Sequence, residues 1–139
     1  MIVQGQCTVF KKNLLSGLEN FATGTTQVYK IALYNANAEL NAATLVYTSL
    51  NEVTGAGYTA GGKVLTPIAP ASSGSTAYVS FDNVSWLAAN FLCRGALIYN
   101  SSTNAAVAVL DFGSDKTASG TFTVTFPPAT ASTAVIRIS

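Results

Sequence analysis

Apolar residues recur with a helical step at one place only, from Phe10 to Phe21. Phe10, Leu14, Leu18 and Phe21 follow one another at intervals of four, four and three, with Leu15 beside them. Lys11, Lys12, Ser16 and Glu19 take the opposite face. That period predicts one amphipathic helix over about residues 9–22, with Thr8 as its N-cap and Gly24 as its stop. Such a helix either closes one end of a core or docks onto a neighbour.

Beyond Gly24 the pattern shortens to alternation broken by turn residues, which is the texture of strands. Val28–Tyr34 is the first expected strand, and Leu45–Tyr47 is a weaker one. Lys63–Thr66 follows a glycine-rich stretch and is ended by Pro67 and Pro70, which confine it to a sheet edge. Ala77, Val79 and Phe81 alternate with Tyr78 and Ser80, and Val84-Ser85-Trp86 continues the alternation past a turn at Asp82-Asn83. Phe91–Tyr99 is nearly continuous apolar sequence and reads as a central strand, with a bulge at Gly95. Ser101–Asn104 reads as a hairpin loop that returns the chain into Ala105–Leu110 as the antiparallel partner. Phe122, Val124 and Phe126 alternate with threonines, and Val135–Ile138 closes the series. About seven to nine short strands at roughly ten-residue spacing predict an all-β fold. The expected form is one antiparallel β-sandwich domain over residues 1–139, of jelly-roll or immunoglobulin-like Greek-key type, carrying one N-terminal helix.

Composition changes this picture in one respect. Of 139 residues, 49% are hydrophobic but only 9% charged, where soluble domains carry about 25%. Serine, threonine, asparagine, glycine and alanine fill the difference. A surface so weakly charged suits a protein covered in an assembly better than a free-swimming enzyme. The net charge of +1, with cations scattered apart from Lys11-Lys12, offers no field to gather nucleic acid or an anionic membrane. No basic segment followed by an apolar one opens the chain, so no secretory signal is expected, and no apolar run is long enough for a membrane helix.

Candidate chemistry is sparse. The chain has no histidine, which removes Ser-His-Asp and Cys-His arrangements and the histidine-based metal sites. Cys7 and Cys93 have no ligand spacing and are expected as two buried thiols, the alternative being a Cys7–Cys93 disulfide, which the sequence allows. A paired-carboxylate site would have to come from Glu19, Glu39, Glu52, Asp82, Asp111 and Asp115; Asp82 and Asp115 read as turn and loop residues, and Asp111, after an apolar strand, is the one expected to be partly buried. Gly57–Lys63 has the spacing of a phosphate-binding loop, but Val64 replaces the magnesium-binding hydroxyl and no helix follows. It reads as a β connection. Tyr29, Tyr34, Tyr47, Tyr58, Tyr78 and Tyr99 are candidates for a sugar-binding platform, though tyrosine is also an ordinary strand residue. The expectation is a non-enzymatic chain with no catalytic, cofactor-binding or metal residues.

Several stretches resemble a family of small structural proteins of tailed bacteriophages and prophages. They are Lys30–Tyr34, Asn51-Glu52-Val53 with Gly55 and Gly57–Gly62, Arg94–Asn100 and Ala108–Gly113, and Cys7–Phe21 looks like that family's N-terminal helix. The resemblance implies a virion component assembled in the bacterial cytoplasm. It points to a capsid cement or decoration protein whose partners are the major capsid protein or other virion proteins and further copies of itself. The alternatives are a tail, neck or fibre-associated module and a carbohydrate-binding module facing the host surface.

Overall fold

A computed structural model describes all 139 residues. It is all-β, with eight strands and one short helix: β1 (Gly5–Gln6), α1 (Thr8–Leu15), β2 (Tyr29–Tyr34), β3 (Lys63–Val64), β4 (Ala71–Ser73), β5 (Thr76–Val79), β6 (Val84–Asn100), β7 (Ala105–Val124) and β8 (Ile136–Ile138). Five strands form one antiparallel sheet in the order β1-β7-β6-β2-β3, and three form a second in the order β4-β5-β8.

The dominant element is the β6–β7 hairpin, whose strands run 17 and 20 residues. The sequence suggests short strands here, with Val84–Trp86 apart from Phe91–Tyr99 and Asp115 in a loop. Instead each pair of segments merges into one strand. The mergers are made by irregularities. Leu87 and Ala88 bulge out of β6 between the pairs Trp86↔Phe122 and Ala89↔Gly120, with Ala88 in the left-handed region at φ 49°. In β7, Phe112–Asp115 bulge between Asp111 and Lys116, opposite the step from Cys93 to Gly95. The bulge expected at Gly95 therefore belongs mainly to the facing strand. Gly95 itself is needed for close approach, since a Cβ there would lie 2.5 Å from the Leu110 carbonyl oxygen.

The helix is shorter than its period suggests. It ends at Leu15, and Gly17 at φ 73° turns the chain away, so Gly24 is not the stop. Cys7 rather than Thr8 is the N-cap, and it makes no side-chain capping bond. Phe10 and Phe21 are buried, but Leu15, on the outer face of α1, is 91% exposed, and Leu18, past Gly17 where the chain has left the helix, is 52% exposed.

One hydrophobic core runs from Ile2 to Ile136. Where the two sheets meet, Phe21 stacks on Tyr29 at 4.3 Å between ring centres and makes edge contacts with Phe10 (5.9 Å) and Phe81 (6.0 Å). Phe81 in turn packs against Phe126 at 5.5 Å. A second aromatic group lies under the far half of the hairpin, where Phe122 packs against Trp86 at 6.0 Å and Phe91 at 5.5 Å. Tyr58 completes it from the opposite side.

Candidate interaction surface

The Gly55–Gly62 segment is a tightly turned strap laid across the hairpin. Ala56 bridges to Asn90, and the Lys63 ammonium donates to the Ser85 carbonyl. Its glycines are there for contact. At Gly62 (φ 80°) a Cβ would fall 1.8 Å from the Ile31 carbonyl oxygen, and at Gly57 (φ 83°) 2.7 Å from that of Leu87. What looks like a phosphate-binding spacing is thus a β connection, with its lysine engaged on β6.

Glu52 holds the strap down. It is 7% exposed, and its carboxylate accepts hydrogen bonds from the Tyr47 and Tyr58 hydroxyls and, at 2.8 Å, from the Gly61 N–H. Tyr58 also accepts from the Leu33 N–H at 3.0 Å, and Tyr99 donates to the Gly61 carbonyl at 2.6 Å. Burial raises the pKa values of Tyr34, Tyr47, Tyr58 and Tyr99, and the Glu52 charge adds to the effect. These hydroxyls stay protonated and donating. The sequence reading did not anticipate the clamp; its signal was Glu52 flanked by Tyr47 and Tyr58, five and six residues away.

The other acids lie apart from Glu52. Glu19 is buried, accepts from the Tyr29 hydroxyl at 2.8 Å and from the Asn100 amide at 3.4 Å, and leaves Oε1 without a partner. Burial raises its pKa against the pull of those two donors. Asp111 is partly buried, as expected. The Gly113 N–H at 2.9 Å and the Arg94 guanidinium at 3.1 Å hold its carboxyl below the ordinary value. Glu39, Asp82 and Asp115 are exposed. The hydrogen-bond networks of Glu19, Glu52 and Asp111 share no residue. No three metal-ligating side chains converge anywhere. Cys7 and Cys93 are buried and unbonded, with burial pushing their thiols up to about 11 and about 12.

None of the six tyrosines is exposed. Tyr29, Tyr34 and Tyr99 are buried, and Tyr47, Tyr58 and Tyr78 are half-buried. Tyr47 stacks on Tyr99 at 4.7 Å rather than facing solvent. Five of the six hydroxyls donate to groups of the chain itself, Tyr29 to Glu19, Tyr34 to the Thr48 carbonyl, Tyr47 and Tyr58 to Glu52 and Tyr99 to the Gly61 carbonyl, so these five are not displayed as a sugar-binding platform.

The outside of the molecule shows a different kind of chemistry. Against seven basic and six acidic residues, thirteen large apolar side chains stand exposed. Four of them stand at two places. Leu15 on α1 and Ile138 on β8 line an open groove with Lys11 and Arg137, which adjoins an apolar cavity of about 240 Å³ between α1 and the second sheet. On the far half of the hairpin, Leu87 and Leu92 stand among exposed Asn90, Thr117, Ser119 and Thr121. Compared with protein-family models, with curated proteins and with solved structures, the chain matches none.

Proposed function

We propose that this chain is a structural protein of a tailed-bacteriophage virion, a capsid cement that binds the assembled shell and acts through adhesive surface rather than chemistry. The observation that carries the reading is the exterior, where exposed large apolar side chains are as many as all the charged residues of the chain, of which Glu19 and Glu52 are buried. Scattered single apolar residues are ordinary on a protein surface, but apolar side chains lining an open groove, as Leu15 and Ile138 do, or standing among uncharged polar groups, as Leu92 does, mark surfaces that other proteins cover. The resemblance of Lys30–Tyr34, of Asn51-Glu52-Val53 with Gly55 and Gly57–Gly62, of Arg94–Asn100 and of Ala108–Gly113 to phage structural proteins supplies the setting. The major capsid protein is the proposed partner, with binding sites repeated by the shell's symmetry. A protein that binds the intact shell and not its ruptured form stabilises it by mass action.

The test is copy number and position in phage particles that carry the chain. On the order of hundreds of copies spread over the shell in a cryo-EM reconstruction, with particles that burst more readily when it is stripped, is the expected result. A few copies confined to one vertex would transfer the protein to the neck, tail or fibre. Binding to bacterial polysaccharide on a glycan array, with no binding to particles, would defeat the capsid reading altogether.

A further inference from the structure

The two outer edges of the long hairpin are finished differently. The edge of β6 is covered over its far half by the strap, through Ala56 and Lys63. The edge of β7 meets only β1, at Ala108 and Val109, and then the Gln4 side chain at the Asp111 N–H. From Ser114 to Val124 no other strand lies along it. Such an edge presents a row of unpaired N–H and C=O groups, which proteins normally blunt with lysines, proline or a covering segment. This stretch has no proline, and its one cation, Lys116, sits near one end.

The residues along it read as an approximate palindrome about Gly120: Thr117-Ala118-Ser119-Gly120-Thr121-Phe122-Thr123. A two-fold axis at Gly120 would set Thr117 against Thr123 and Ser119 against Thr121 on the exposed face. On the inner face it would set Ala118 against Phe122. Hydroxyl would meet hydroxyl and small would meet large, both favourable cross-strand pairings. Lys116 would fall opposite Val124 and Asp115 opposite Thr125, so no like charges would meet. At the axis stands Gly120, so neither copy would place a side chain there, and nothing lies within 4 Å of the position its Cβ would take.

We infer that the outer edge of β7 over Thr117–Thr123 is a self-recognition edge. A second copy of this chain adds to it antiparallel, in an isologous pairing that joins two five-stranded sheets into one. This inference goes beyond the capsid reading and stands or falls without phage particles.

Sedimentation of the purified full chain over a range of concentrations provides the test, with a reversible dimer expected. Thr121→Lys brings an ammonium beside the axis from each copy and should raise the dimer dissociation constant by about tenfold or more while leaving the circular dichroism unchanged. Ser73→Lys, on the β4 edge of the other sheet, should leave the constant alone. Mixing Ser119→Cys chains with Thr121→Cys chains under mild oxidation should give the mixed disulfide in preference to either symmetric one, and does not depend on the lysine variant's folding. A chain that stays monomeric at every concentration, equal effects of the two lysines, or cross-links without that preference would each overturn the inference.

Discussion

The near and far halves of the β6–β7 hairpin are made by the same two strands, yet they are different kinds of structure. In the near half, Gly95–Asn100 pairs with Ala105–Asp111 while β2 and β1 flank it. Residues Ala96–Asn100 and Ala105–Val109 are all buried, irrespective of the face they occupy. In the far half, Val84–Cys93 pairs with Lys116–Val124 as a two-stranded ribbon. There burial alternates: Trp86, Phe91 and Ala118 are inside, while Leu92, Thr117 and Ser119 are outside. The near half is a core strand pair, and the far half is a covered face with a bare back. A two-stranded ribbon is marginal alone, so the strap and the aromatic group beneath it are what keep the far half in place.

Substitutions can break that contrast, and the largest losses should come where both faces are closed. Leu97→Ala, fully buried in the near half, should cost about 3 kcal/mol in urea unfolding. Gly62→Ala should match or exceed it, because the added Cβ meets the Ile31 backbone and the left-handed φ is strained besides. If that variant unfolds at the wild-type urea midpoint, the strap is not seated as described. Glu52→Gln replaces an acceptor of three hydrogen bonds by an amide with one acceptor oxygen. It should cost about 2 kcal/mol and speed amide exchange along Ala56–Gly62 more than along β2.

Smaller effects separate with pH. Asp111 has a lowered pKa in the fold, so its contribution is complete above the unfolded value, about 3.9, and is lost as pH falls through the folded one. Glu19 has a raised pKa, so it has the opposite sign. Its penalty is absent below the unfolded value, about 4.3, and grows as pH rises through the folded one. Unfolding midpoints measured from acid to neutral pH should therefore fall on the neutral side in wild type and flatten there in Glu19→Gln. Asp111→Asn should remove the acid-side contribution at a cost of about 1 kcal/mol or less at neutral pH. Least of all, Leu92→Ser on the bare back should change stability by about 0.5 kcal/mol or less.

The residues that made the fold legible are those whose neighbours in sequence decide their burial. Phe122, Val124 and Phe126 alternate with exposed threonines in the structure as in the sequence, and Ser101–Asn104 is the hairpin turn. What stayed hidden depends on partners far along the chain. Gly113, Ser114, Asp115 and Gly120 have turn chemistry; the first three sit in the bulge between the Asp111 and Lys116 pairs, and Gly120 is held in the strand by its pairing with Ala89. The helix misled for another reason: its period continues through Leu18 and Phe21, although Gly17 already ends it. Asp111 was legible because an apolar strand leads straight into it. The Glu52 clamp was not, since its three donors converge only after the strap has closed over β2 and β6.

The two thiols have a practical consequence. Held at about 11 and about 12 and fully enclosed, they offer almost no thiolate near neutral pH. The covalent structure should then be the same in a reducing or an oxidising medium. Iodoacetamide labelling of Cys93, beside the central bulge, should wait on opening of the hairpin, so its rate would serve as a clock for that event.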